Sequence, residues 1–244
     1  YKRQDDALSL KIIEEDLFEI GIHIADVSHY LKQSSLMEKE AYERATSVYL
    51  VDRVVTMLPE KLSNELCSLI EKEEKYTFSA VFQMNNKSEV LNEWYGKTVI
   101  KSDKRFSYEE VNHILQKQTK TIEKEISLKK ENYMISEDLY EAIIIFNNLA
   151  KILRKERIKE GAISFERKEV NFNLNNKNEP VSVSYKEYGD ANKLVEEFML
   201  LANKKVASYI TRKKKKPFVF RVHDSPDEEK LYNLQKTTSS FGYD

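Results

Sequence analysis

Residues 5–9 (DDALS) and residues 21–28 (GIHIADVS) are the two stretches from which the fold of this chain is predicted. Isoleucines at positions 20, 22 and 24 alternate with small or polar residues, which is the period of a half-buried strand. A short acidic run at residues 14–16 separates this strand from an apolar stretch before it. Residues 7–25 are therefore predicted to form two strands joined by an acidic turn.

The adjacent carboxylates Asp5 and Asp6 stand at the entrance to the first predicted strand. Neighbouring carboxylates repel each other unless a cation lies between them. Mg²⁺ takes carboxylate oxygens as ligands and keeps several of its waters. The pair is therefore either a solvated turn or a Mg²⁺ site, and Mg²⁺ sites of this kind commonly handle phosphates.

Hairpins and separate long helices account for most of the remaining chain. Residues 76–84 and 90–100 are rich in aromatic and β-branched residues and predict a hairpin. Ser107 followed by Glu110 predicts a capping box at a helix start. This mixture predicts an α+β fold, with mixed, largely antiparallel sheets and long packed helices. The other predicted elements are helices over 36–49, 62–69, 137–160, 191–211 and 227–239, a hairpin over 165–174 and 181–185, a strand over 218–222, and a solvated segment over 116–135.

The composition limits the classes of protein to which this chain can belong. The chain has 244 residues and a net charge of −1, so nucleic-acid binding would depend on local patches of charge. The single cysteine, Cys67, excludes an internal disulfide framework, fits a reducing compartment, and is predicted to be a buried small hydrophobe. No apolar run reaches the roughly 18 residues of a membrane span. The chain starts at Tyr1 without a methionine, and we expect it to be a fragment of a longer protein.

Several further motifs stand in a fixed order along the whole chain. Together with the first two stretches, they make the chain resemble the catalytic domain of the ribonuclease II/ribonuclease R (RNB) family of exoribonucleases. The resemblance implies a partial catalytic domain over residues 1–244, truncated at both ends. The motifs are residues 44–50 (RATSVYL), 57–59 (MLP), 62–69 (LSNELCSL), 161–166 (GAISFE), 195–203 (VEEFMLLAN) and 220–224 (FRVHD).

The resemblance implies roles for five residues. Asp5 and Asp6 match two aspartates of the family's acidic cluster, which holds Mg²⁺ and positions the hydrolytic water. Tyr49 and Phe165 match a pair of aromatic residues that clamp the last bases of a single strand, and stacking suits a non-specific nuclease because every base has a π-face. Glu197 matches a glutamate that contacts the ribose near the 3′ end, where a 2′-hydroxyl distinguishes RNA from DNA.

Each of these interpretations has an alternative. The alternative for Tyr49 and Phe165 is core packing, because aromatic residues near strands usually belong to the core. Glu196 and Glu197 point about 100° apart on a helix, so only one of them can face a site. The other would be solvated or paired with Lys193.

Two other groups carry polar side chains without an implied role. His23 lies on a strand, where a histidine usually forms hydrogen bonds within the fold, and Asp26 is suited to capping a turn. The basic block at residues 212–216 is either a solvated helix end or a grip on phosphates.

Arg3 departs from the family pattern, because a third family aspartate stands at that position. The resemblance implies a Mg²⁺-dependent, processive 3′-to-5′ exoribonuclease that hydrolyses single-stranded RNA to nucleoside monophosphates. A cation at a ligand position would oppose metal binding, so the alternative is a catalytically inactive RNA-binding protein on the same fold. A purely structural α+β domain is the third interpretation. We expect a cytoplasmic monomer with no membrane partner.

Overall fold

The structure is a computed structural model that describes residues 4–163, 169–175, 179–186 and 188–243. It divides into two compact units, Tyr1–Val206 and Ala207–Asp244. No helix within the described residues combines the length and the apolar composition needed to cross a bilayer. The strands are β1 (Asp6–Glu14), β2 (Leu17–Ala25), β3 (Val48–Tyr49), β4 (Val54–Val55), β5 (Glu74–Asn85), β6 (Val90–Lys101), β7 (Thr121–Ile122), β8 (Tyr133–Met134), β9 (Glu169–Leu174) and β10 (Pro180–Lys186). The α-helices are α1 (Val27–Tyr30), α2 (Leu36–Arg44), α3 (Tyr108–Lys117), α4 (Glu137–Lys159), α5 (Asp190–Ser208) and α6 (Glu228–Ser240).

Four strands form the main sheet of the first unit in the order β1-β2-β5-β6, and each neighbouring pair is antiparallel. The hairpins β1–β2 and β5–β6 lie where the alternation of residues 7–25 and 76–100 predicts them. The third hairpin, β9–β10, is also confirmed from residue 169 onward, and residues 165–168 of the predicted strand lie outside the described residues. Antiparallel sheets together with long helices confirm the α+β class.

The main core lies between one face of this sheet and the helices α4 and α5. Because side chains alternate along a strand, Ile20 and Ile22 of β2 share a face with Phe82 of β5, and all three are fully buried. Phe146 of α4 meets Phe198 of α5 edge to face, with ring centroids 5.4 Å apart. Burying a side chain of this size contributes about 1.5–3 kcal/mol, so this cluster fixes the two helices against the sheet.

Helix α4 follows the predicted range 137–160 to within one residue. Its C-terminal end is set by Gly161, which adopts a left-handed φ of +97°. The Gly161 N–H donates to the Ile158 carbonyl at 3.0 Å, and the Ala162 N–H donates to the Arg157 carbonyl at 3.1 Å. This is the Schellman arrangement that glycine favours, so the predicted stop at Gly161 is confirmed.

The prediction that residues 116–135 form a solvated segment is wrong in part. Ile122 of β7 is fully buried beside Ile114 of α3, and β7 pairs with β8. Ser107 and Glu110 form the predicted capping box, and Glu110 also accepts hydrogen bonds from the Leu128 N–H and the Tyr133 hydroxyl. Few apolar residues are enough to fold the segment, because a buried carboxylate supplies the polar contacts that hold it to α3.

The predicted helix over residues 36–49 ends early, at Arg44. Ala45 takes a left-handed φ of +57°, which stops the helix and leads into the short hairpin β3–β4. A single π-helical turn, Lys61–Leu66, occupies part of the predicted helix over 62–69. Cys67 follows it and is buried, as predicted.

The second unit contains a π-helical turn, Tyr209–Lys213, and helix α6 with Asp227 as its N-cap. The strand predicted over residues 218–222 is not formed, since these residues pair with no strand among the described residues. Val219 is 90% exposed. Alternating apolar residues do not make a strand by themselves, because the backbone groups need a partner.

Candidate active site

A cavity of about 810 Å³ opens in the first unit beside the edge strand β1. One wall comes from β1, a second from the loop between β6 and α3, and a third from α4 and α5. The apolar part of the lining includes Leu8 and Leu10 of β1, Phe146 of α4 and Leu194 of α5. The polar part includes Asp6, Ser9, His23, Lys101, Asp103, Lys104, Arg105, Tyr108, Glu109 and Asp138.

Asp6 lies on the cavity wall because the β1–β2 hairpin places it there. Ala25 donates its N–H to the Asp5 carbonyl at 2.9 Å, and Asp6 stands opposite Ile24 in the ladder. The strand period puts Asp6 on the same face as Leu8, which also lines the cavity. Desolvation, together with repulsion from Asp5, raises the pKa of Asp6 above its ordinary value.

The chemistry of this pair fits Mg²⁺. A cation would relieve the desolvation and repulsion that raise the pKa of Asp6. No group of three or more His, Cys, Asp or Glu side chains within the described residues is arranged to hold a metal. Mg²⁺ is commonly bound by one or two carboxylates, with waters and substrate phosphates completing its shell. Asp6, which lines the cavity, and Asp5, the residue before it, would therefore supply carboxylate oxygens to the ion.

The cavity also has a cationic wall, formed by the end of β6 and the loop from β6 to α3. Lys101, Lys104 and Arg105 are consecutive or nearly so and all line the cavity. The backbone N–H of Arg105 donates to a carboxylate oxygen of Glu71 at 3.0 Å, which fixes the loop to the segment that precedes β5. Asp6 and these cations line the same cavity. The cations would attract a phosphate ester, and Asp6 would supply a metal ligand beside it.

Tyr49 stands on β3 with its side chain in solvent. It is 77% exposed, so core packing is the wrong explanation for this residue. The loop before it is fixed by Ser47, whose hydroxyl accepts the Met57 N–H at 3.0 Å. An exposed ring on a short hairpin is available for stacking. Phe165, its predicted partner, lies outside the described residues.

Glu197 is buried on α5 and pairs with Arg157 of α4. The Arg157 Nε donates to Glu197 Oε2 at 3.2 Å, and Nη2 donates to Oε1 at 2.5 Å. The same Nη2 lies 3.3 Å from Glu196 Oε1, so Arg157 bridges both glutamates. The sequence leaves Glu196 either solvated or paired with Lys193, whereas the structure pairs it with Arg157 and with the Tyr188 hydroxyl. Burial and this hydrogen bond raise the pKa of Tyr188 to about 12.

His23 is a structural residue, as the sequence indicates. Its ring lies between two hydroxyls, with Nε2 2.8 Å from Ser9 Oγ and Nδ1 2.7 Å from Ser79 Oγ. Burial lowers the pKa of His23, so the ring is neutral at neutral pH. Asp26 caps α1 by accepting the His29 N–H at 3.2 Å.

Substituting Gly21 tests how tightly the His23 network is packed. A Cβ at Gly21 would lie 2.3 Å from Ser9 Oγ and 2.5 Å from His23 Nε2. Because hydrogen bonds on both ring nitrogens hold His23, we expect Gly21→Ala to lower the free energy of unfolding by about 1–3 kcal/mol in chemical denaturation.

The matched control for this substitution is Gly96→Ala in the same sheet. A Cβ there would lie 2.6 Å from the ring of Trp94, which is half exposed and free to swing away. We therefore expect a smaller loss for Gly96→Ala. Equal losses from the two variants would contradict a rigid His23 network.

The structure assigns the predicted residues to three separate elements of the first unit. Asp6 lines the cavity on β1, Tyr49 lies on β3, and Glu197 lies on α5 one turn after Leu194 of the cavity wall. Sequence reasoning missed Arg157 and Lys104. Arg157 is visible in the sequence only as one of several charges at the end of a helix, and Lys104 carries no local signal.

Comparison with known proteins identifies the family. Residues 1–243 match the RNB domain. Ribonuclease R 2 of Lactococcus lactis is 36% identical over 242 residues, which cover 99% of this chain and 35% of that protein. The structure of Mycoplasma genitalium RNase R in complex with ribose methylated single-stranded RNA matches with a TM-score of 0.84 and 28% identity, over 98% of this chain and 35% of that one.

A more distant match shows the fold alone. The structure of yeast Ssd1, described as a pseudonuclease, has a TM-score of 0.74 at 20% identity, over 98% of this chain and 27% of that one. The chain spans between about a quarter and a third of the length of the curated relatives it matches. The RNB domain match covers almost every residue and agrees with the α+β fold and the ordered motifs. The chain therefore belongs to the RNB domain family.

Proposed function

We propose that this chain is part of a Mg²⁺-dependent, processive 3′-to-5′ exoribonuclease that hydrolyses single-stranded RNA to nucleoside 5′-monophosphates. The observation that carries the proposal is the cavity, in which Asp6 and the cations Lys101, Lys104 and Arg105 line one space. The names of its relatives support it: one is a ribonuclease R, and another is an RNase R in complex with single-stranded RNA.

Asp5 and Asp6 would hold the metal, and Asp6 lines the cavity. Mg²⁺ bound there would polarise a phosphoryl oxygen and lower the pKa of the attacking water. The neighbouring cations would hold the negatively charged strand against the acidic pair. The apolar walls from α4 and α5 would limit the access of other water to the reacting bond.

Tyr49 and Phe165 would stack on the terminal bases, and Glu197 would accept a hydrogen bond from a ribose hydroxyl. Each Glu197 oxygen accepts one hydrogen bond from Arg157. Arg157 is a positioning residue in this scheme, because it fixes the orientation of the Glu197 carboxylate. A contact with the 2′-hydroxyl would favour RNA over DNA.

The alternative is a catalytically inactive RNA-binding protein on the same fold. Arg3, which lies outside the described residues, is the feature that favours it. The fold of yeast Ssd1 shows that this architecture also occurs in a protein described as a pseudonuclease. We place either protein in the cytoplasm as a monomer, where the single buried Cys67 fits a reducing environment.

The function is tested by degrading single-stranded RNA with the protein in Mg²⁺ and in excess chelator. With a 3′ label, we expect labelled mononucleotide from the first time point. With a 5′ label and unlabelled competitor RNA, we expect full-length substrate and a short end product, without intermediate lengths. Cleavage that persists in chelator would contradict metal dependence, and a ladder of intermediates would contradict processivity.

The same preparation separates the alternatives. RNA binding without cleavage in Mg²⁺ would support the inactive RNA-binding protein. Neither binding nor cleavage would leave the purely structural interpretation. Internal fragments from a circular RNA would contradict an exonuclease, because a circle has no 3′ end.

A further inference from the structure

Two lysine ammonium groups lie over the same aromatic ring in the first unit, that of Tyr133. Lys104 Nζ lies 4.4 Å from the centroid of the Tyr133 ring, and Lys129 Nζ lies 5.4 Å from the same centroid. Lys104 Nζ is also 5.8 Å from the centroid of Phe106. Contacts of this kind hold an ammonium group in place while leaving its charge unneutralised.

The carboxylates around this pair neutralise it unevenly. Glu71 forms an ion pair with Lys104, with its oxygen 3.8 Å from Lys104 Nζ, which is longer than a direct hydrogen bond. Glu110 accepts hydrogen bonds from the Ser107 N–H, the Leu128 N–H and the Tyr133 hydroxyl, and its charge also favours the charged form of Lys104. Lys129 forms no ion pair with a carboxylate in the part of the chain that the structure describes.

Each of the two lysines also disfavours the charged form of the other. The Lys104 side chain is only 11% exposed. Burial is the main cause that lowers the pKa of Lys104; Glu71 and Glu110 oppose this shift, and the nearby Lys129 adds to it. Two like charges this close are stabilised when an anion joins them.

The pair is connected to the cavity described above. Lys104 lines that cavity with Lys101 and Arg105, and so does Leu128, the neighbour of Lys129. The segment that carries Lys129 is anchored by the fully buried Ile122, so the second lysine sits on an ordered part of the wall. An anion between the lysines would therefore lie at the cavity's edge.

We propose that Lys104 and Lys129 form a phosphate-binding subsite that holds a backbone phosphate of the single-stranded RNA entering the cavity. The inference rests on the proposed function, and it adds a second point of attachment beyond the reacting bond. Lysine binds phosphate as a point charge, which suits a subsite that must let the strand advance by one nucleotide after each cleavage.

The test measures how RNA affinity depends on salt, because each phosphate contact on a single strand adds about 0.7 to the slope of log K against log salt. We expect Lys129→Gln and Lys104→Gln each to make the slope shallower by about 0.7, and Lys104→Arg to restore it. Lys129 is exposed, so its variant reports on binding even where loss of the more buried Lys104 weakens the fold.

The matched control is Lys120→Gln. Lys120 belongs to the same segment but pairs with Glu137, and its Nζ lies 2.5 Å from that carboxylate. We expect its slope to equal that of the unmodified protein. Unchanged slopes for both Lys104→Gln and Lys129→Gln would overturn the subsite, as would an equal change in Lys120→Gln.

Two further measurements are needed. One distinguishes an RNA backbone phosphate from the phosphate of the released product, and the other distinguishes failure of the subsite from failure of the proposed function. Titration with a nucleoside 5′-monophosphate shows whether the lysines hold the released product; weakened monophosphate binding with unchanged RNA slopes would overturn the assignment to the RNA backbone. If the unmodified protein binds no RNA, the proposed function fails. If it binds RNA and the variants match it, only the subsite fails.

Discussion

Asp6→Asn is expected to lower Mg²⁺-dependent RNA hydrolysis by at least about a hundredfold, because it removes a charged ligand from a metal that supplies several kcal/mol of transition-state stabilisation. RNA affinity in chelator should change little, since the cationic wall is untouched. Rates from single-turnover assays and affinities from equilibrium binding check the two halves of the prediction. Hydrolysis at the unmodified rate would rule out Asp6 as a metal ligand.

The matched control is Asp103→Asn. Asp103 lines the same cavity, but its ion pair with Lys72 has both side chains more than half exposed. Such pairs contribute little, so we expect nearly normal hydrolysis from this variant. A similar loss in both variants would show that overall cavity charge, and not the position of Asp6, sets the rate.

The same Asp6 substitution should stabilise the metal-free protein. The pKa of Asp6 is raised in the folded state, so its ionisation disfavours folding. The resulting loss of stability is absent below the unfolded pKa of 3.8 and develops as pH rises through the folded pKa. In chelator, Asp6→Asn should therefore unfold at a higher temperature than the unmodified protein near pH 7, and the difference should shrink towards pH 4. Added Mg²⁺ should raise the unfolding temperature of the unmodified protein only.

Arg157→Met is expected to produce the largest loss of stability. Glu197 has a side chain that is only 3% exposed, and Arg157 satisfies both of its oxygens. Removing one partner of a buried pair costs about 3–5 kcal/mol because the other charge stays buried. Arg157 is itself about one third exposed, so we expect the lower end of that range, near 3 kcal/mol. Methionine keeps the packing of the arginine stem.

Thermal unfolding and chemical denaturation measure this loss. A change of about 3 kcal/mol corresponds to roughly 6–12 °C in a unit of this size. The control is Lys159→Met on the same helix, whose pair with Glu156 has both side chains more than half exposed and should be worth less than about 1 kcal/mol. If the two variants lose the same amount, the Arg157–Glu197 pair does not anchor α5 to α4.

Local patterns predicted the elements that depend on neighbouring residues. The alternation of residues 20–24 identifies β2, and the spacing of Ser107 and Glu110 identifies the start of α3. Gly161 marks the end of α4 through its left-handed φ. Each of these signals acts within a few residues, because strand period, capping and helix termination are local properties of the backbone.

Sequence patterns gave wrong predictions where the structure of a segment depends on contacts with residues distant in the sequence. Residues 218–222 alternate like a strand but meet no second strand among the described residues. Residues 116–135 look solvated, yet Ile122 is fully buried in a cluster with Ile114. In both cases, whether the segment forms a strand or is buried depends on whether another element packs against it. The composition of the segment does not contain that information.

The sequence by itself determined the family through its ordered motifs, the hairpins and long helices, and the acidic pair Asp5–Asp6 as the candidate centre. Only the tertiary structure decided that Arg157 holds Glu197, forty residues away, and that Lys104 and Lys129 share the ring of Tyr133. Periodicity and turn chemistry are local, whereas pairing of charges depends on which surfaces the packed helices and sheet bring within a few ångströms.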